Sequence, residues 1–191
     1  DTAKNYGKID ILVNNAANVG LPDGRVDEIT LEMWDAIFSS DLRGAFYAIK
    51  CVLPYMQKNG GGSIVNIGST AACGGDLGAT AYACAKAGVD MLTSSVALQY
   101  GKENIRCNCV RPGLIVTPQN DAFVSEQLRQ IFLSNIEVNR YGCPEDIGHA
   151  CVFLGSDESA FVTGQIINVD GGMNSHAPTV AQFRAADSRT W

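Results

Sequence analysis

The sequence predicts an α/β protein built on a parallel sheet, and three observations carry that prediction. Short apolar runs ending in small polar residues alternate with helix-length amphipathic stretches, in the order strand, helix, strand, helix, strand, helix, strand. The runs are nearly continuous in Ile, Leu and Val, as strands covered on both faces read. Gly and Pro fall at element ends and leave the element interiors largely unbroken.

Taken in order, residues 9–13 form the first run and end at Asn14-Asn15-Ala16-Ala17. Thr30 is an N-cap with Glu32 in the turn behind it, and Trp34, Phe38, Leu42, Ala45, Ile49 and Leu53 lie on one stripe, so one long helix is expected up to Lys58-Asn59-Gly60. Residues 63–67 are a second buried strand, with Gly68-Ser69 at its carboxyl end. A second long helix runs over residues 82–100, with Val89, Leu92 and Val96 inward. Residues 105–110 are the third strand, closed by Pro112-Gly113. Residues 118–138 read as loop and helix, 144–154 as a helix, and 165–169 as a last strand before Asp170-Gly171-Gly172. In such sheets ligands bind beyond the carboxyl ends of the strands, where Asn14, Ser69 and Pro112-Gly113 all fall.

At 191 residues, with 46% hydrophobic and 18% charged residues, the chain suits a single domain over residues 1–191 with a sizeable core. A net charge of −6 without a Lys/Arg cluster argues against a nucleic-acid partner. No apolar run reaches the ~20 residues of a membrane span, so neither a membrane nor a targeting segment is expected and a cytoplasmic setting is the default. Seven cysteines without Cys-x-x-Cys signal neither a disulfide framework nor a zinc site, and most are expected to be buried. With two histidines, metal and Ser-His-Asp chemistry lack support.

Tyr82-Ala-Cys-Ala-Lys86 is the most informative stretch. On a helix, positions i and i+4 share a face, so phenol and ammonium project side by side, and Ser69 adds a hydroxyl. That trio suits proton exchange with an alcohol oxygen. A phenol of reference pKa ~10 needs about 4 kcal/mol of preferential phenolate stabilisation to titrate near neutrality. One ammonium ~4 Å away, at an effective dielectric of ~20, contributes about that much. Composition alone often yields one Tyr-x-x-x-Lys pair, so the spacing gains meaning from what surrounds it.

Five ordered motifs surround it. They are residues 11–17 (Ile-Leu-Val-Asn-Asn-Ala-Ala), 64–69 (Ile-Val-Asn-Ile-Gly-Ser), Tyr82 to Lys86, 105–108 with Pro112-Gly113-Leu114-Ile115-Val116-Thr117, and 162–165 leading to Asp170-Gly171-Gly172. Together they resemble the short-chain dehydrogenase/reductase family over nearly the whole chain. The resemblance implies the C-terminal part of a Rossmann-type doubly wound parallel sheet, NAD or NADP as cofactor, and interconversion of a small-molecule secondary alcohol and ketone. It implies Tyr82 as general acid/base, Lys86 as the group that lowers the phenol's pKa and bonds the nicotinamide ribose, and Ser69 as the holder of the substrate oxygen. Asn14, Ala16 and Ala17 are expected along the cofactor. Ile67, Pro112, Gly113 and Ile115 are expected to shape the nicotinamide pocket, with Thr117 bonding the carboxamide or phosphates. The family pairs subunits through its two long helices, so a homo-oligomer, dimer or tetramer, is expected.

Two departures stand out. Asp41, in Asp41-Leu42-Arg43-Gly44, replaces the family's usual Asn, and its carboxylate is expected to cancel part of the Lys86 field. Ala17 stands where Gly is usual. The sequence also has no Gly-x-Gly-x-x-Gly after a strand, so the first strands and the dinucleotide loop are expected to lie upstream of Asp1, leaving residues 9–13 as an edge strand and residues 1–191 alone inactive. A non-catalytic remnant serving as an oligomerisation module is the alternative, and a Ser69-Lys86 hydrolase is a distant third. Residues 119–141 are expected to form a lid over a partly apolar pocket, with Phe123, Leu128, Ile131 and Phe132. Residues 173–191 form an extended C-terminal tail with Pro178, Phe183 and Trp191 that packs on a neighbouring subunit or is disordered.

Overall fold

The computed structural model describes residues 1–18, 22–117 and 124–186. Four parallel strands, β1 (Ile11–Asn14), β2 (Gly62–Ile67), β3 (Ile105–Pro112) and β4 (Ile166–Val169), lie in the order β1-β2-β3-β4. The expected α/β class with a parallel sheet is what the chain forms. Helices α1 (Thr2–Tyr6), α2 (Leu31–Phe38), α3 (Gly44–Lys58), α4 (Thr80–Tyr100), α5 (Glu126–Ser134), α6 (Pro144–Gly155) and α7 (Val180–Ala186) complete the described elements.

Because β2 is central, successive side chains reach opposite helix layers. Ile64 packs with Ile49, Leu53, Met56 and Val96 of α3 and α4, whereas Val65 joins Val110 and Leu154 beneath α6. Both are fully buried, each contributing roughly 1.5–3 kcal/mol of transfer free energy. The outermost strand β1 departs from the expected burial on both faces: Ile11 is 50% exposed and Val13 44%. Strand β1 has one sheet neighbour, β2, as expected of an edge strand.

The long helix expected after Thr30 is two helices. Thr30 caps α2 by accepting from the Met33 N–H at 3.2 Å, but after Phe38 the chain enters a π-helical turn, Ser39–Arg43, before α3 begins. A π turn carries an extra residue and so re-aims one side chain without ending the helix. Here the buried residue of the turn is Asp41. Gly88 lets α4 approach it closely, since a Cβ there would sit 2.7 Å from Leu42 Cδ2.

The cysteines depart from expectation. Cys107 and Cys109 are buried, Cys51, Cys73 and Cys84 are exposed, Cys143 and Cys151 are intermediate, and all are free thiols. Cys84 points away from the Tyr82–Lys86 face, as its spacing predicts. As far as residue 186 the tail folds back onto its own chain: Arg184 Nη2 lies 2.6 Å from Glu137 Oε2, and the His176 ring lies 2.9 Å from the Asn135 carbonyl. Of the expected lid, residues 119–123, with Phe123, lie outside the described residues, as does Trp191. No helix among the described residues is long and apolar enough to cross a membrane.

Candidate functional site

Three elements meet at the carboxyl end of β2. Two residues beyond Ile67 the chain reaches Ser69 in an extended conformation, where the side chain caps the 3₁₀ turn Thr70–Cys73 by accepting from the Ala71 N–H at 3.1 Å. The first turns of α4 face it with Tyr82, whose phenol lies near enough to the Ser69 hydroxyl to feel its pull on the proton. One turn further on, Lys86 places its ammonium 5.5 Å from the Tyr82 ring centroid. Lys86 is 3% exposed, and its Nζ donates to the Ile67 carbonyl at 3.1 Å. The phenol, the hydroxyl and the ammonium that the sequence set apart by number are therefore neighbours in space.

Asp41 joins them from the π turn. Its Oδ2 lies 3.8 Å from Lys86 Nζ, with both side chains almost wholly out of solvent. Oδ1 accepts from the Asn18 N–H at 3.0 Å and from the Ser40 hydroxyl, but Oδ2 is buried without a hydrogen bond. The ion pair is thus close enough to matter electrostatically and too long to satisfy that oxygen.

The resulting field reverses one expectation. Burial raises the Tyr82 pKa above its ordinary value, the Ser69 hydroxyl works to lower it, and the Asp41 charge raises it further. Lys86 is shifted down by its own burial, and Asp41 opposes that shift. The Tyr82–Lys86 spacing led to the expectation of an acidified phenol, with Asp41 cancelling part of the Lys86 field. In the folded chain desolvation is the largest influence and raises the phenol's pKa, and Asp41 acts in the expected direction.

Two chambers flank the trio. Asn14, Ala16, Asp41, Ile67 and Lys86 line a cavity of about 140 Å³ between the sheet and the π turn. Ser69 and Gly113 line a more open one of about 430 Å³ with Thr70, Leu114, Phe132 and Met173. Ala17, Pro112, Ile115 and Thr117 line neither; Ile115 pairs instead with Gly142 in an isolated bridge. Ile131, expected in the lid, is 60% exposed, and Leu128 is 41% exposed. A wider hollow of about 1080 Å³ lies among Asp10, Gly62 and Arg106, at the amino ends of the strands. Ligands of open parallel sheets bind at the opposite end, where the titratable trio is.

Behind the site, Asn14 donates to Asn66 at 2.8 Å and Asn66 donates to Thr93 at 2.8 Å, tying β1, β2 and α4 together. Asp90 receives Arg111 Nε at 3.0 Å, and Arg111 Nη1 reaches the Cys73 sulfur at 3.2 Å. The largest omission of the sequence argument is Asp23. Its carboxylate accepts from the backbone N–H groups of Ala81 and Tyr82 at 3.2 and 2.8 Å. Pro22-Asp23-Gly24 reads as a turn. The available signal was α4 itself, whose N-cap, Ala79, offers no side-chain acceptor.

The residues present suit the nicotinamide end of a dinucleotide. A crevice bordered by Asn14, Ala16 and Ile67 carries the buried Lys86 ammonium, a donor able to meet hydroxyl oxygens, and Gly113 approaches Asp170 so closely that a Cβ would lie 2.8 Å from the Asp170 Cβ.

A family model described as enoyl-(acyl carrier protein) reductase matches residues 1–174. A 7alpha-hydroxysteroid dehydrogenase of Bacteroides fragilis is 40% identical over 180 residues, spanning 94% of this chain and 70% of that protein. A probable short-chain type dehydrogenase/reductase of Bradyrhizobium diazoefficiens is 42% identical over 184 residues, spanning 93% of this chain and 64% of that protein. Among solved structures, a 7 alpha-hydroxysteroid dehydrogenase complexed with NADH and 7-oxo glycochenodeoxycholic acid superimposes with a TM-score of 0.84 at 35% identity, covering 89% of this chain and 66% of that one. The chain therefore spans roughly two thirds of the length of the proteins it matches, from 64% to 70%. A model match running to residue 174 and relatives of this identity over nine tenths of the chain make the assignment: it belongs to the short-chain dehydrogenase/reductase family.

Proposed function

We propose that this chain carries the proton-handling half of an NAD- or NADP-dependent oxidoreductase that interconverts a secondary alcohol and a ketone. The observation that carries the proposal is the buried Lys86 ammonium 5.5 Å from the Tyr82 phenol ring at the carboxyl end of β2, where Ser69 also stands. The nicotinamide supplies the hydride. Lys86, Asn14, Ala16 and Ile67 would hold its ribose end, and Ile115 and Thr117, after the β3 turn, would meet its carboxamide side.

In the reducing direction Tyr82 gives its phenolic proton to the carbonyl oxygen, and Ser69 holds that oxygen within reach. A neutral phenol is the form this step needs. Burial raises the Tyr82 pKa and so keeps the proton on the donor across the neutral range. Oxidation needs the phenolate, so its rate should climb toward alkaline pH while reduction holds. Asp41 acts through Lys86 and the phenol as a counter-charge, opposing phenolate formation.

The larger chamber suits a substrate with an apolar body. Leu114, Phe132 and Met173 supply apolar walls, Thr70, Asp76 and Asn174 polar ones, and no Lys, Arg or His is among its described lining residues. Its volume of about 430 Å³ admits more than a small alcohol, which is consistent with relatives named for steroids.

The test is Tyr82→Phe, followed by nicotinamide absorbance with cyclic and aliphatic ketones. Loss of a positioned general acid lowers kcat by about 10²- to 10⁴-fold. Because the phenyl ring still fills its half-buried site, Tm should hold. Wild-type turnover in Tyr82→Phe would end the proposal.

A further inference from the structure

We propose that Asp23 is a positioning residue for Tyr82, holding the first turn of α4 from a loop 59 residues away in sequence. The inference rests on the reading of Tyr82 as the acid, but its evidence is independent of that reading.

A helix start exposes backbone N–H groups that have no partner within the helix, and a capping side chain normally takes them. Helix α4 has no such cap of its own, because Ala79 stands at the N-cap. Asp23 fills the role from outside. Its Oδ2 accepts from the Tyr82 N–H at 2.8 Å, and its Oδ1 from the Ala81 N–H at 3.2 Å. Oδ1 also accepts from the Gly24 N–H at 2.8 Å, which sets the carboxylate's orientation. Thr80 returns the tie, donating from Oγ1 to the Gly24 carbonyl at 2.7 Å. Loop and helix start are thus joined in both directions, by side chains from each.

The charge suits the place. A carboxylate at a helix N-terminus complements the macrodipole, and its hydrogen bonds are charge-assisted. One of the two helix amides it takes belongs to the phenol-bearing residue, so the constraint acts on Tyr82 directly. Proton transfer tolerates little error in position: a misplacement of ~1 Å costs on the order of 10²-fold. The opposite side of the first turn packs on Ile37, Trp34 and Phe38 through Ala81 and Ala85. Packing sets how deep the helix sits, and Asp23 sets where its first turn stops unwinding.

The experiment needs no ligand, so its failure is separate from failure of the catalytic reading, which turnover decides. Amide hydrogen exchange is measured at Ala81 and Tyr82, and the Tyr82 Cζ resonance, identified by its loss in Tyr82→Phe, is followed as a function of pH. In Asp23→Ala both amides should exchange about fivefold faster or more, the loss expected for one helix cap. The Tyr82 titration should also move down from its raised value toward that of an exposed tyrosine, as the phenol loses the burial that is the largest cause of its shift. Asp23→Asn keeps an acceptor for one amide and should recover most of both readouts. A helix cap with no bearing on the phenol would speed exchange and leave the Cζ titration where it is in the wild type, and that result overturns the proposal. So does unchanged exchange in Asp23→Ala.

Discussion

The two ends of the larger chamber are built to different standards. Ser69 and, behind it, Tyr82 and Lys86 stand on a strand end and on α4, a helix that buries Ala81, Ala85, Lys86, Val89, Asp90, Thr93, Val96 and Ala97. Phe132 and Met173 come from α5 and the start of the tail, and neither α5 nor α7 buries a single residue. The contrast fits the two tasks of the proposed function. Groups proposed to move a proton need fixed geometry, and these are anchored in the core. Groups proposed to face the body of a substrate sit on elements held by a few polar ties, where substitutions cost little fold stability.

The sharpest way to break that contrast is to truncate an isoleucine at each end. Ile64 is fully buried between β2 and the α3–α4 layer, so Ile64→Ala should cost about 2–5 kcal/mol in urea unfolding. Ile131 on α5 is 60% exposed, and Ile131→Ala should stay within about 0.5 kcal/mol of wild type. Similar losses for the two would mean that α5 is anchored as firmly as the sheet.

Within the rigid half, Asp41→Asn sharpens the comparison by changing charge without changing shape. Asp41 raises the Tyr82 pKa, so removing its charge should lower that pKa and move the alkaline rise of alcohol oxidation toward neutral pH. Asp41 also supports the Lys86 charge, so the variant's ammonium should deprotonate at lower pH and curtail the gain on the alkaline side. A pH–rate profile identical to wild type would show that the carboxylate is electrostatically silent despite lying 3.8 Å from Lys86 Nζ.

Where the structure followed the sequence, period and punctuation were local. The runs 63–67 and 105–110 announce β2 and β3 through continuous Ile and Val, and Thr30 caps α2 as its spacing with Met33 requires. The Tyr82–Lys86 pair was legible because a helix sets i and i+4 together whatever the fold. What stayed hidden was tertiary. No periodicity marks the π turn at Ser39–Arg43, because Trp34, Phe38, Leu42 and Ala45 keep helical spacing on both sides of it. Burial of the phenol, which set the sign of its pKa shift, depends on Ile37, Ala81 and Leu42 arriving from two helices and the turn between α2 and α3. Asp23 was unreadable for the same reason, since a carboxylate in a turn says nothing about which distant helix it will cap.

The weakly held half has a tie of its own whose strength should depend on pH. His176 places Nδ1 2.9 Å from the Ala177 carbonyl and Nε2 2.9 Å from the Asn135 carbonyl, at the end of α5. A neutral imidazole carries one N–H, so both contacts are hydrogen bonds only in the imidazolium form. The two carbonyls, Asn135 first, and then the Glu137 carboxylate at 3.6 Å, raise the His176 pKa above its ordinary value, while burial and Arg184 oppose them. A group with a raised folded-state pKa contributes fully below its unfolded value, ~6.5, and loses that contribution as pH rises through the folded value. Amide protection at Phe183, whose N–H bonds the Thr179 carbonyl, should therefore fall as pH rises above ~6.5 and through the raised folded-state value, once the intrinsic exchange rate is divided out. In His176→Gln, which does not titrate, it should be low and flat. The effect is the smallest of these, confined to α7 and the end of α5, and protection that stays constant with pH in the wild type would show that Arg184 and Glu137 hold the tail without the histidine.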